Sequence, residues 1–296
     1  MPSIPSLPSR ALIAILKLAG ITGAFDRAFE SGDFRSGDVA GPAKHAAAGL
    51  VVTVEEMQGR RVTKLRPVSG GTKTHVLFLH GGGYVFGFNR FHWDFACRLA
   101  RVTGCTVVAP DYPLAPESTL PDSFAWVSRL YRELVSETGG ADLVLLGDSA
   151  GGGLALALAQ QALQRRIAQP RRIVLLSPWL DLTMSNPGIA ALEPLDPVLR
   201  LSGLRLAAKA YAGVAPLDDP RLSPIHGPLE GLGRLSVFIG TRDVLLADAR
   251  RLKSLLDEKG IDFDWYEGKG MIHDWVLLPV MEAKSSIDRI VEMIRE

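Results

Sequence analysis

Six short apolar runs, each four to six residues long, recur along this chain and are spaced by stretches of helical period. They are His75–Leu79 (HVLFL), Cys105–Ala109 (CTVVA), Leu143–Leu146, Ile173–Leu176, Leu235–Ile239 and Ile261–Tyr266. Short runs of this kind, the last one interrupted by Asp262 and Asp264, suit the buried strands of a parallel sheet. Between and after them, Phe91–Val102, Pro121–Glu137, Leu154–Arg165, Leu245–Lys259 and Leu278–Ile294 read as helices. Strict alternation of the two periods predicts βαβ units with right-handed crossovers. Leu50–Glu56 and Arg61–Arg66, separated by a stretch containing Gly59, read as an antiparallel pair that opens the sheet. Two segments break the alternation. Residues 1–48 and 181–220 are too long for plain loops in a compact domain, and the second holds a helix near Ser202–Ala212. Both are expected to cover a site. That leaves a core in two parts, residues 49–180 and 221–296.

With 47% hydrophobic and 22% charged residues, the chain can bury a large core. The formal net charge of +1, without basic or acidic blocks, excludes nucleic acid as an expected partner. Cys97 and Cys105 form neither a metal-binding spacing nor a disulfide framework, so reduced thiols, a reducing cytoplasmic location and no metal are expected. The apolar run Ala11–Leu18 is interrupted by Lys17 and is too short to span a bilayer, which takes about 20 residues. It is expected to be an amphipathic helix, with no stable membrane insertion.

The chemistry-bearing motif is Gly147-Asp148-Ser149-Ala150-Gly151, between the strand LVLL and the helical GGGLALALAQQAL. G-x-S-x-G in that context makes a nucleophile elbow. Serine at the tip of a sharp strand-to-helix turn exposes its hydroxyl, small neighbours fit the crowded turn, and the helix start favours developing negative charge. His80-Gly81-Gly82-Gly83 follows the first buried run. Consecutive glycines can aim N–H groups at one point, so Gly82 and Gly83, with Ala150, are candidate oxyanion donors. The dinucleotide-binding pattern fails, because Phe86 stands where its last glycine belongs. No cofactor is expected.

The order that accompanies this elbow is serine, acid, histidine. Only His226 and His273 follow Ser149, and His273 lies after the final strand beside Gly268 and Gly270. His273 is therefore the candidate base, with His226 and His80 expected to be structural. Asp243, just past the penultimate strand, is the candidate acid, ahead of Asp181 and Asp248.

HGGGYVFG, DYPLAPE (111–117), GDSAGGGLA, DPRLSPIHG (219–227), GTRDVLLADA and GMIHDW stand in the order found in bacterial esterases of the hormone-sensitive-lipase family. From about residue 73 onward the chain resembles that family. Pro113 departs from it, where arginine is commoner. The resemblance implies the α/β-hydrolase fold: a mostly parallel central sheet flanked by helices, with a helical cap built from 1–48 and 181–220. It implies the triad Ser149, Asp243 and His273, the oxyanion donors above, and short- to medium-chain acyl esters as small-molecule substrates. Tyr84, Val85 and Phe86, with Leu204, Ala208 and Tyr211, are candidate pocket residues, beside Phe25, Phe29 and Phe34. The final strand and helix could form a homodimer edge. Competing functions on the same motifs are acyl transfer, amide cleavage, and non-catalytic binding as in the plant gibberellin receptors, which resemble the family but lack the histidine.

Overall fold

The computed structural model describes residues 5–18 and 20–296. Residues 1–4 and 19 of the expected N-terminal covering segment lie outside the described residues. The sheet has eight strands in the order β1-β2-β4-β3-β5-β6-β7-β8. β1 (Leu50–Met57) and β2 (Arg60–Pro67) form the expected antiparallel hairpin, and β2 also runs antiparallel to β4 (Thr106–Pro110). From β4 onward every pairing is parallel, through β3 (His75–Leu79), β5 (Leu143–Asp148), β6 (Arg172–Leu176), β7 (Arg234–Gly240) and β8 (Phe263–Gly268). β8 lies at the sheet edge.

Helices cover both faces, as a parallel sheet requires. Alternate strand residues divide the core. Leu77, Leu79, Leu145, Leu175 and Val237 belong to the cluster shared with α4 (Leu120–Thr138), α5 (Ser149–Gln164) and α8 (Leu246–Glu258). Val76, Phe78, Val144, Leu146 and Phe238 belong to the cluster shared with α3 (Arg90–Thr103) and α9 (Met281–Arg295). Both cysteines are free and buried. The first helix, α1 (Leu7–Leu18), is tied to α9, where Glu282 accepts from the Ser6 N–H and the Ser9 hydroxyl. Among the described residues no helix is long and apolar enough to cross a membrane.

Two helix boundaries differ from the sequence reading for identifiable reasons. The helix after the elbow begins at Ser149 rather than Leu154, so three glycines that weaken helices intrinsically are helical here. Close packing overrides propensity: a Cβ on Gly151 would lie 2.0 Å from the Leu79 carbonyl oxygen. The last helix starts at Met281 rather than Leu278, because Pro279 holds its predecessor extended (Leu278 ψ 154°).

The segment 181–220 contains α6 (Ile189–Leu192) and α7 (Leu201–Ala212). α7 packs against α2 (Ala24–Ser31) of the N-terminal segment. The approach is close: a Cβ on Gly203 would stand 2.5 Å from the Phe25 Cβ.

Leu77 is fully buried in the central sheet. Leu77→Ala is expected to lower unfolding stability by about 3 kcal/mol. Urea unfolding would check this, and a loss under about 1 kcal/mol would show that the site collapses around the deletion.

Candidate active site

β5 ends at Asp148 and the chain turns into α5 without a linker. The turn places Ser149 at φ 51°, in the left-handed region that side chains rarely occupy. The Trp179 N–H donates to the Ser149 carbonyl at 2.8 Å and helps to hold this backbone. Ser149 is 5% exposed, at the N-terminal end of a helix whose unpaired N–H groups favour negative charge.

Asp243 and His273 reach the same point from the ends of β7 and β8. His273 Nδ1 lies 2.9 Å from Asp243 Oδ2, and Nε2 lies 3.0 Å from Ser149 Oγ. An ionised carboxylate only accepts, so Nδ1 carries the proton facing Asp243, and when the imidazole is neutral its Nε2 is the acceptor for the Ser149 hydroxyl. The structure thus brings the three candidate residues into one hydrogen-bonded chain. The rivals stand apart from it. Asp181 accepts from the Thr183 N–H and hydroxyl. Asp248 accepts from the Asn186 amide. His226 lies 3.8 Å from Asp181.

The glycine loop leaves β3 alongside the elbow. Gly82 (φ 104°) and Gly83 (φ 62°) both have positive φ. Among the described residues no acceptor takes either N–H. His80 shapes the loop as expected, with Nδ1 2.7 Å from the Gly81 carbonyl and its ring stacked on Tyr112. Burial pushes its pKa down to about 3, so it stays neutral.

Three polar residues of the site were not singled out from the sequence. Asp148 Oδ2 accepts from the Gly81 N–H at 2.9 Å and faces His92 Nε2 at 3.1 Å. His92 Nδ1 accepts from the Asn89 N–H in a capping box at the start of α3, which leaves Nε2 to donate. Burial opposes charge on His92, but the Asp148 carboxylate outweighs it and holds the pKa above its ordinary value. Asp274 follows the candidate base at φ 52°, and its Oδ2 lies 3.0 Å from His273 Nε2. Burial and the neighbouring Asp148 and Asp243 push the Asp274 carboxyl up to about 7. The capping box, Asn89 three residues before His92, was a readable signal. The others depend on tertiary contacts.

A cavity of about 310 Å³ opens onto Ser149 and His273. Its walls include Phe25 and Ile21 from the N-terminal segment, Val198 and Leu199 from the 181–220 segment, and Phe86. The pocket expectation needs correction. Of the six candidates only Phe86 lines this cavity. Tyr84 has φ 63°, which turns its ring away to stack on Tyr211 at 3.9 Å. Val85, Leu204 and Ala208 are buried in the same core cluster. Phe29 and Phe34 pack edge to face on each other, whereas Phe25 does reach the cavity.

Residues 76–277 match the model of a family described as alpha/beta hydrolase fold. A triacylglycerol lipase of Mycobacterium tuberculosis is 31% identical over 238 residues, covering 80% of this chain and half of that one. This chain therefore spans only half the length of that relative. An acetyl-hydrolase of Streptomyces hygroscopicus is 32% identical over 77% of this chain and 75% of its own. An esterase from the bacterial hormone-sensitive lipase family superposes with a TM-score of 0.78 at 31% identity, covering 84% of each chain.

Burial opposes protonation of His273, yet Asp274 and Asp243 outweigh it and hold its pKa well above the ordinary histidine value. With His273 as the candidate base, which can work only when neutral, kcat/KM for ester hydrolysis is expected to rise as pH climbs through a value above the ordinary histidine range. Asp274→Asn removes one of the raising charges and should move this acid limb to lower pH. An unmoved limb in the variant would rule out Asp274 as a cause of the shift.

Proposed function

We propose that this chain, which belongs to the α/β-hydrolase fold family, is a carboxylesterase of the bacterial hormone-sensitive-lipase type acting through Ser149, His273 and Asp243. The observation that carries the reading is the unbroken chain from Asp243 through His273 to Ser149 Oγ, at 2.9 and 3.0 Å, opening on a largely apolar cavity.

In this reading Ser149 Oγ attacks the ester carbonyl as His273 Nε2 takes its proton. Asp243 holds the imidazole and stabilises the imidazolium. Negative charge on the former carbonyl oxygen is received by the N–H groups of Gly82, Gly83 and Ala150. His273 returns the proton to the leaving alcohol oxygen, the carbon–oxygen bond breaks, and an acyl-serine remains. Water then attacks the acyl carbon and gives its proton to His273. The proton returns to Ser149 as the acid departs.

The cavity volume is near the small end of ligand pockets, roughly 300–1,000 Å³, which supports short- to medium-chain acyl groups. α2, with the chain following it, and the segment carrying α6 and α7 act as a cap, since Phe25 and Leu199 wall the cavity from those two segments.

Ser149→Ala should reduce turnover of p-nitrophenyl butyrate by on the order of 10⁴–10⁶-fold while circular dichroism stays native. Wild type should be labelled at Ser149 by a fluorophosphonate, and rates over an acyl series should peak at short to medium length. Retained turnover in the folded variant would refute the assignment.

A further inference from the structure

We propose that Asp196, in the stretch between α6 and α7, is a positioning residue of the esterase reaction: it fixes the turn that carries Asp243 and the cavity wall formed by Val198 and Leu199 as one unit. This rests on the Ser149–His273–Asp243 reading and adds to it a residue that is not among those lining the cavity.

The Asp196 side chain is buried, and its carboxylate is divided between two segments. Oδ1 accepts from the Val198 N–H at 2.7 Å and from the Leu199 N–H at 3.0 Å. Oδ2 accepts from the Val244 N–H at 2.9 Å. Val244 directly follows the candidate acid and is fully buried. Its N–H finds no backbone acceptor among the described residues, so Asp196 is what satisfies it. The next N–H, of Leu245, goes to Asp243 Oδ1 at 2.9 Å. The turn after β7 is therefore held by two carboxylates, Asp243 from within and Asp196 from the covering segment. That leaves Asp243 Oδ2 for His273 Nδ1. The other side of the bridge reaches the cavity, because Val198 and Leu199 are two of its walls. The N-terminal segment joins at the same place. Thr22 Oγ1 donates to the Pro197 carbonyl at 3.0 Å, next to Ile21, which is another wall.

The choice of an acid at this position also points to the bridge. Burial and the nearby Asp243 hold the Asp196 carboxyl above the ordinary carboxylate range, so its charge is carried at a cost. Asparagine has the same shape and would avoid that cost, but its amide has a single accepting oxygen. With that oxygen on Val198 and Leu199, its NH₂ group would face the Val244 N–H, donor against donor. A carboxylate is the side chain of this size that accepts on both sides. A buried N–H left without an acceptor is itself unfavourable, so the turn would shift to find one.

Asp196→Asn should therefore release the Val244 side alone. It is expected to lower kcat for p-nitrophenyl butyrate by about ten- to a hundredfold with KM within about twofold of wild type, the size of loss that a slightly misplaced catalytic group causes. Asp196→Ala releases both sides and should lower kcat at least as far while raising KM. The low-field NMR signal of the His273 Nδ1 proton, which reports its bond to Asp243, should shift or broaden in Asp196→Asn. Leu77→Ala, destabilised within the central sheet, should keep the wild-type kcat per folded molecule and an unmoved signal, so lost stability alone does not imitate the effect. The proposal is overturned by a folded Asp196→Asn whose kcat stays within about twofold of wild type, by a loss wholly in KM, or by an unmoved His273 signal. If neither variant folds while Leu77→Ala does, Asp196 serves folding and the positioning role is equally overturned. When wild type is active and labelled at Ser149 but Asp196→Asn is unimpaired, only this inference fails. When wild type neither hydrolyses the ester nor takes a fluorophosphonate at Ser149, the esterase reading fails and this inference falls with it.

Discussion

A serine held at φ 51° between a buried strand and a helix is the constraint around which the rest of the site is arranged. Such a backbone costs on the order of 1–3 kcal/mol and persists only where its surroundings over-determine it. Here β5 is clamped between β3 and β6, and α5 lies so close to β3 that residue 151 has no room for a Cβ. The turn is therefore held from the strand side and the helix side. Once it is held, the hydroxyl can point only out of the sheet's C-terminal end. The loops after β7 and β8 end in the same place because every strand from β4 to β8 runs parallel.

The residue before the serine is bound by the same geometry. Asp148 is fully buried, and burying a carboxylate is costly unless donors surround it. The Gly81 N–H and His92 Nε2 meet one of its oxygens. These two bonds join the elbow to the glycine loop and to the first turn of α3. The loop is also gripped from the N-terminal segment. Arg35 donates to the carbonyls of Val85 and Ala115, and Asp38 accepts from the Gly87 N–H at 2.7 Å. A segment distant in sequence thus helps to fix the backbone that presents Gly82 and Gly83.

How far the sequence could be read depended on whether a feature was periodic, local or tertiary. β3 to β7 and the flanking helices were legible because burial on both faces leaves a continuous apolar run, and one-sided burial leaves a helical period, whereas the half-buried edge strand β8 starts at Phe263, two residues later than the sequence suggested. The placement of Ser149, Asp243 and His273 was legible because each follows a strand that could be counted. Asp274 was not, since a residue beside a histidine can face either way and only its positive φ turns the carboxylate to Nε2. Tyr84 failed for the same reason in reverse: it adjoins the glycine loop in sequence, but its own positive φ sends the ring into the core. Asp148 reads as part of the elbow motif, and nothing in the motif tells that its carboxylate reaches back across 67 positions to Gly81.

The tyrosine expected in the pocket serves the core instead. Tyr84 and Tyr211 stack nearly parallel, at an interplanar angle of 5°, and both are fully buried. Burial raises both phenols well above their ordinary pKa, so the pair is neutral, and it packs between the loop and α7 as an aromatic block. That block lies in the core beneath the loop and α7 and leaves the cavity walls to other residues. Phe25 does wall the cavity, and it packs closely on both sides: a Cβ on Gly83 would stand 2.4 Å from its ring and one on Gly203 would stand 2.5 Å from its Cβ. One phenylalanine from α2 thus touches both the glycine loop and α7. Phe25 thereby ties the position of α2 to the glycine loop and to α7 together.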